Sequence, residues 1–296
     1  KKNPIDIVIS TGPPHSMHLI AQKIKSLHKI KWLADFRDPW TDIEYFDKLP
    51  LLSFIKKKHM QLEKNIVTNA DMVISVSPTW TQLFNKMGAK HTFYLPNGYD
   101  SEDYPLYFKQ TLTKDFKIGH FGLYNELRDH KILWQTLSEL TNSIKEFKLD
   151  LKLFFAGEVH NDFMNNLKCY NLSEKIEYHS YINHSEAIHN MLKCDLLLVT
   201  QGKTKSVLGR IPAKVFEYLK ARRPILAIGK KNSDLDKLLS NISYAYFIDY
   251  NNTNRLKDVI LEIYNSRNVN YEFSDHISHF SRKNQAKQLA KEINCL

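Results

Sequence analysis

Short apolar runs recur along the chain, separated by longer stretches in which apolar residues return every third or fourth position. Runs of the first kind suit buried strands, and stretches of the second kind suit helices that bury one face. The pattern predicts strands at 5–10, 31–35, 72–76, 92–95, 117–121, 152–156, 176–178, 196–200, 225–228 and 246–248. It predicts helices at 15–27, 53–70, 78–87, 130–145, 161–170, 185–193, 212–221 and 254–265. Strands that alternate with helices form parallel sheets, so the expected fold class is α/β. The rhythm breaks at Asp100-Ser101-Glu102-Asp103-Tyr104-Pro105, which predicts two facing Rossmann-like units, over 1–110 and 111–273. Few strands precede the break compared with a doubly wound sheet, so the first unit reads as incomplete. The last stretch, 274–296, reads as one long polar helix that can cross back to the first unit.

Composition narrows the function classes. The 296 residues are 43% hydrophobic and 25% charged with only 9 Gly and 10 Pro, which excludes a disordered or collagen-like chain. No apolar run approaches the roughly 20 residues that span a bilayer, and the first residues carry no secretory leader pattern. The expectation is a cytoplasmic protein, at most peripheral to the inner face of the membrane. Cys169, Cys194 and Cys295 stand far apart, which points to neither a disulfide framework nor a zinc site. The net charge of +10 favours an anionic partner, whether nucleic acid, an acidic membrane surface or a phosphorylated small molecule. Without an aromatic RNA-binding strand, a zinc finger or a basic recognition helix, nucleic acid is not expected.

Two segments carry the chemistry of a phosphate site. Gly119-His120-Phe121-Gly122 closes a predicted strand, and Arg128 follows just before a helix. Glycine there lets a ligand approach the backbone, and the helix N-terminus with its arginine attracts phosphate. An ordinary turn with a solvated arginine explains the same residues. The second segment is Gly209-Arg210-Ile211-Pro212-Ala213-Lys214-Val215-Phe216-Glu217-Tyr218-Leu219. Pro212 marks a helix start, Val215, Phe216 and Leu219 face the core, and Lys214 and Glu217 lie on the polar side, extended by Arg210. Arg210 and Lys214 suit a diphosphate, and Glu217 suits a ribose diol. A solvated Lys214–Glu217 ion pair is the alternative.

The segments Ala70-Asp71-Met72-Val73-Ile74-Ser75-Val76-Ser77, Leu95-Pro96-Asn97-Gly98-Tyr99-Asp100, Phe154-Phe155-Ala156-Gly157, Ile188-His189-Asn190-Met191-Leu192-Lys193-Cys194-Asp195 and 209–224 occur together in a telling order. In that order and spacing the chain resembles glycosyltransferase family 4, whose members have the GT-B fold. Ser10-Thr11-Gly12-Pro13-Pro14-His15-Ser16 and Ala34-Asp35-Phe36-Arg37-Asp38-Pro39-Trp40 resemble a bacterial branch of that family, as in polysaccharide biosynthesis. The resemblance implies transfer of a sugar, with retention at the anomeric carbon, from a nucleoside-diphosphate donor to a glycan or lipid-linked acceptor. It places the donor on the second domain and the acceptor on the first. It puts Glu217 on the donor ribose and Arg128 with Lys214 near the diphosphate, where the residues' own chemistry also places Gly122 and Arg210. Their charge would stabilise the leaving nucleotide, so no metal and no cofactor are expected.

The chain departs from the family where a first glutamate is expected, at Gly209, and where a basic clamp is expected, at Leu123 and Asp129. Arg37 stands where a histidine is common. Asp35, Arg37 and Asp38 remain the catalytic candidates because they follow a strand end, with a local Arg–Asp network as the alternative. Gly12 and His15 read as an acceptor or phosphate loop. Asp234-Leu235-Asp236 has a metal-binding spacing, but Ser233 and Asp234 read better as a helix cap. Leu51-Leu52-Ser53-Phe54-Ile55 followed by Lys56-Lys57-Lys58 suits an interfacial helix against an anionic membrane, or a core-facing helix with solvated lysines. Two other functions fit the same residues: a GT-B nucleotide-sugar epimerase, and a non-catalytic nucleotide-sugar-binding module.

Overall fold

The computed structural model describes residues 4–44, 46–105, 114–267 and 275–296. By compactness the chain forms two units, one of Lys1–Asn97, Thr204–Ile211 and Lys283–Leu296, the other of Gly98–Lys203 and Pro212–Arg282.

The first unit runs β1 (Ile7–Gly12), α1 (Ser16–His28), β2 (Lys31–Phe36), α2 (Ser53–Asn69), β3 (Met72–Ser75), α3 (Pro78–Met87) and β4 (Thr92–Tyr94). Its four strands pair in parallel in chain order. Local chemistry sets the ends of α3: the Ser77 hydroxyl accepts the Trp80 N–H, Pro78 opens the helix, and Gly88 closes it at φ 101°. On one side of the sheet Trp32, Phe36, Val73, Trp80 and Phe84 form a closed core. On the other, Leu33, Met72 and Ile74 are covered by Leu289 and Ile293 from the C-terminal end of the chain.

The second unit runs β5 (Phe116–Phe121), α4 (Lys131–Ser143), α5 (Lys145–Asp150), β6 (Leu151–Ala156), α6 (Phe163–Cys169), β7 (Ile176–His179), α7 (His184–Lys193), β8 (Leu196–Thr200), α8 (Lys214–Ala221), β9 (Ile225–Gly229), α9 (Asp234–Leu239), β10 (Ala245–Asp249) and α10 (Thr253–Asn265). Its six strands are parallel, in the order β10-β9-β8-β5-β6-β7. The order reverses between β5 and β8, the doubly wound arrangement in which the crevice beyond those two strand ends takes the ligand. Phe155 packs against Tyr124, Trp134 and Phe163 in the core that anchors β5 and β6.

All ten predicted strands are present, with ends shifted by a residue or two. The predicted helix 130–145 is α4, which ends at Ser143 because Ile144 takes an extended conformation, and the short helix α5 that follows was not predicted. The predicted long C-terminal helix is shorter: residues 275–280 form a 3-10 turn, and α11 (Arg282–Asn294) starts after it. Residue 274 lies outside the described residues. Around 234, Ser233 caps α9 by accepting the Asp236 N–H, the local role expected of that serine.

Phe155→Ala would remove a side chain that is 1% exposed. The second unit is expected to lose about 3–5 kcal/mol, read from chemical denaturation.

Candidate functional site

Where β5 ends, the chain turns sharply through Gly122 at φ 93°. Three contacts fix this turn. The Gly122 N–H donates to the Ala156 carbonyl at 2.6 Å, and the Phe121 N–H donates to the buried Tyr218 hydroxyl at 3.0 Å. Gly157 packs flush on the turn at φ 122°, so close that a Cβ there would lie 2.7 Å from the Gly122 backbone. Gly119 serves packing rather than ligand approach, since a Cβ on it would lie 2.4 Å from the Cys194 sulfur.

Lys214 begins α8 and reaches back to this turn. Its Nζ lies 3.0 Å from His120 Nε2, and a Cβ on Gly122 would stand 3.4 Å from that Nζ. His120 is 1% exposed, and its Nδ1 lies 3.1 Å from the Leu198 carbonyl on β8. Burial, reinforced by the Arg128 charge, brings the Lys214 pKa down to about 7, and burial beside Lys214 takes His120 well below its ordinary value. Among the described residues, Lys214 makes no ion pair with a carboxylate. Glu217 follows one turn later and, among the described residues, its carboxylate makes no hydrogen bond or ion pair. Burial raises its pKa, opposed by the charges of His184, Arg282 and Lys214. The Tyr104 hydroxyl donates to the Glu217 carbonyl at 2.9 Å and steadies the helix there. A half-buried ammonium and carboxylate with no mutual bridge are costly for stability, and such groups concentrate at binding sites.

Arg128 curls onto the same loop, donating to the Leu123 carbonyl at 2.9 Å. The structure therefore gathers Gly122, Arg128, Lys214 and Glu217 of the predicted donor residues in the second unit. Arg210 is grouped with the first unit, where its guanidinium pairs with Glu44 and its charge acts on Asp38. It lies outside α8, which starts at Lys214, so the expected continuation of the helix's polar side to Arg210 does not form. Asp129, where the family pattern expects a lysine, is an acceptor hub. It takes hydrogen bonds from His160 at 2.9 Å, Asn166 at 2.7 Å and the Trp134 indole. Gly209, where a first glutamate was expected, lies flat on the Trp80 indole, and a Cβ would meet it at 2.6 Å. A glutamate cannot occupy that position without displacing a core tryptophan.

His120, Gly157, Tyr218 and Tyr104 were not identified as site residues by sequence reasoning. The one available signal was a histidine inside an otherwise apolar strand run, Ile118-Gly119-His120-Phe121.

In the first unit, Gly12, His15, Asp35, Arg37 and Asp38 meet at the C-terminal ends of β1 and β2. The Thr11 hydroxyl donates to Asp35 at 3.0 Å, Arg37 lies 3.5 Å from Asp35, and the Arg37 guanidinium also donates to Asn97. The Arg37 N–H donates to the Gly12 carbonyl at 3.1 Å, and His15 Nε2 lies 2.8 Å from the Asp38 carbonyl. Burial raises the pKa of Asp35 and Asp38 and lowers that of His15. Much of this is the local Arg–Asp network expected as the alternative, and it sits at the C-terminal edge of the sheet. Gly12 is required by packing, since a Cβ would stand 2.7 Å from His18 Nε2. From α2, Glu63 accepts the Trp40 N–H at 2.7 Å and the Thr41 N–H at 3.2 Å, fixing the loop after β2.

Two hollows differ in place. One of about 540 Å³, lined by Glu126, His130, Lys203 and Tyr250 among others, opens at the C-terminal ends of β8 and β10. The other, about 800 Å³ and lined by Lys23, Lys25, Lys29, Lys31 and Lys90, lies at the N-terminal ends of β2 and β3, and no predicted site residue lines it. Among the described residues no cluster of three or more metal-ligating side chains occurs, and no helix is long and apolar enough to cross a membrane.

The crevice at a reversed strand order, with a lysine and a carboxylate at one helix start, defines a doubly wound α/β protein. No protein-family model matches the chain, and no curated protein matches it in sequence. Solved structures do match its fold. Sucrose-phosphate synthase from Thermosynechococcus elongatus superposes with a TM-score of 0.69 at 13% identity, over 98% of this chain and 73% of that one. S. aureus TarM, solved with fondaparinux, α-GlcNAc-glycerol and UDP, gives 0.67 at 15% identity, over 96% of this chain and 54% of that one. The UDP-GlcNAc 2-epimerase from Methanocaldococcus jannaschii gives 0.55 at 14% identity, over 98% and 77%. The chain thus has two parallel-sheet Rossmann-like domains of the GT-B type, a fold found in glycosyltransferases and in nucleotide-sugar epimerases alike.

The Lys214 ionisation yields a stability prediction. A lysine that titrates near pH 7 folded and near 10.5 unfolded binds fewer protons in the folded state between those values, so its contribution to stability rises with pH there. Lys214→Met should therefore be more stable than wild type at neutral pH. Its stability should climb less steeply from pH 7 to 10.5, by at most about 1.4 kcal/mol per pH unit. Denaturant melts of both proteins across that range check this; parallel curves would contradict it.

Proposed function

We propose that the chain is a glycosyltransferase of the family 4 kind, moving a sugar from a nucleoside-diphosphate sugar to a glycan or lipid-linked acceptor with retention. The observation that carries this reading is the Lys214–Glu217 pair at the start of α8: a half-buried lysine amine with no carboxylate bridge among the described residues, beside the open turn at Gly122. A diphosphate supplies the missing anion, and a ribose diol supplies two donors for the Glu217 carboxylate. Lys214 and Arg128 then stabilise the negative charge that develops on the departing nucleotide, so the reaction needs no metal. Arg210, paired with Glu44 in the first unit, is proposed as a phosphate contact.

The acceptor is assigned to the edge that holds Gly12, His15, Asp35, Arg37 and Asp38. Burial holds the Asp35 and Asp38 carboxyls nearer neutrality, which suits hydrogen bonding to acceptor hydroxyls. At the start of α2, Leu52 and Phe54 are 66% and 64% exposed, beside exposed Lys57 and Lys58. The far end of the same helix buries Glu63, Ile66 and Val67. The exposed end supports peripheral contact with an anionic membrane on the cytoplasmic side.

Likeness to UDP-GlcNAc 2-epimerases favours a second reading, an epimerase acting on the nucleotide sugar alone. Incubation with UDP- and GDP-sugars plus a lipid-linked or glycan acceptor separates the two. The first reading predicts a glycoside with the donor's anomeric configuration, and an epimerised nucleotide sugar without transfer would replace it by the second. Donor binding with neither product would point to a binding module. Glu217→Ala is expected to weaken donor binding by about 1–3 kcal/mol, as loss of a charged hydrogen-bond partner does. An unchanged affinity in a folded variant would remove the ribose assignment. Phe54→Asp should reduce co-flotation with phosphatidylglycerol vesicles, and equal flotation would count against the membrane contact.

A further inference from the structure

We propose that His120 is a positioning residue: locked in one tautomer by β8, it holds the Lys214 amine at the Gly122 turn to meet a donor phosphate, and it couples that binding to uptake of a proton. The inference deepens the donor-site reading and rests on it.

The tautomer follows from hydrogen-bond chemistry. A carbonyl oxygen can only accept, so at 3.1 Å from the Leu198 carbonyl His120 Nδ1 carries the proton. The Nε2 lone pair is then left facing Lys214 Nζ at 3.0 Å and can only accept. A second proton on the ring would have to sit on Nε2, against the lysine, in a side chain that is 1% exposed. The Leu198 and Leu123 carbonyls favour a charged ring, but burial and the Lys214 charge are the larger effects and oppose it, with Arg128 adding to them. The imidazole therefore stays neutral, and the titrating member of the pair is the lysine. An amine and an ammonium can both donate to Nε2, so the contact keeps Lys214 in place in either protonation state.

The surrounding charges leave room for one more proton. Arg128 opposes protonation of Lys214, and burial opposes it more strongly; only Glu217 favours it. Glu217 itself faces His184, Arg282 and Asp103. An incoming phosphate reverses this balance, and the amine takes one proton from solvent to become the ammonium that binds it, with no covalent bond to the ligand. A structural lysine needs none of this, since a methionine or leucine would fill the same space without burying a charge.

Ligand-free protein tests the tautomer by nitrogen NMR of the histidine ring, and calorimetry with UDP, in two buffers of different ionisation enthalpy, tests the coupling. Working between about pH 7.5 and 9 keeps the terminal phosphate of UDP fully ionised, since a phosphate's second pKa is about 6. His120 should show the neutral Nδ1–H form from about pH 6 upward. Wild type should take up a proton on binding UDP, with affinity falling as pH rises. His120→Phe should bind UDP about tenfold more weakly, and His120→Gln, which restores an acceptor, should recover most of that; thermal melts establish that both variants fold. An imidazolium signal for His120 near pH 6, or a folded His120→Phe with wild-type affinity and proton uptake, would overturn the proposal alone. UDP and GDP failing to bind wild type, or binding Lys214→Met as well as wild type, would overturn it together with the donor-site reading.

Discussion

A lysine amine drawn into the end of a parallel sheet, held by a neutral imidazole rather than a carboxylate, is the contact on which this site depends. Burial and a neighbouring arginine both disfavour the lysine's charge. Without an anionic ligand the arrangement only costs stability, and with one it supplies an amine already in place to take up a proton and become the bound cation. The turn that faces that amine is fixed by its neighbours. Gly122 turns the chain where a side chain would crowd Lys214, and Gly157 supports the turn from below. Tyr218 secures the last strand amide.

Around this centre the frame is rigid for ordinary reasons. Tyr124 meets Phe155 and Phe163 edge to face, Trp134 meets Phe163 likewise, and Phe155 and Phe163 pack tilted beneath β5 and β6. Asp129 ties the loop before α4 to α6 by accepting from Asn166, and to the loop between β6 and α6 by accepting from His160. Asp129, where the resemblance led us to expect a basic residue, is thus a loop anchor. In the first unit a similar exchange occurs at Gly209, whose surface is taken by the Trp80 indole. Both departures are explained by packing, and both leave Lys214 and Arg128 as the cations of the second unit's crevice.

The strands could be read from sequence because each is a short apolar run, and burial of both faces demands that pattern. The helix break at Ile144 could not, since an apolar residue at that position suits a helix as well as a bend. The C-terminal stretch was overextended because a polar segment with sparse apolar positions resembles a helix even across the turn at 275–280. Thr204–Ile211 meets the first unit through Gly209 on Trp80, Arg210 with Glu44 and Lys205 with Asp47, pairings too distant in sequence for periodicity to reveal. Within the site, Gly122, Arg128, Lys214 and Glu217 were legible as chemistry at a helix start and a strand end. His120 was hidden because a buried histidine in a strand looks like a core residue. Its role appears only once β8 places a carbonyl on one side of the ring and α8 a lysine on the other.

The central claim is that Lys214 and Glu217 form the diphosphate and ribose contacts of a nucleotide donor. Calorimetric titration of the wild-type chain with UDP and GDP, in the presence of a chelator and again with magnesium, tests it most directly. Saturable one-to-one binding of one of them, equal with and without metal, is the predicted result. Binding of neither nucleotide, or binding abolished by the chelator, would contradict it.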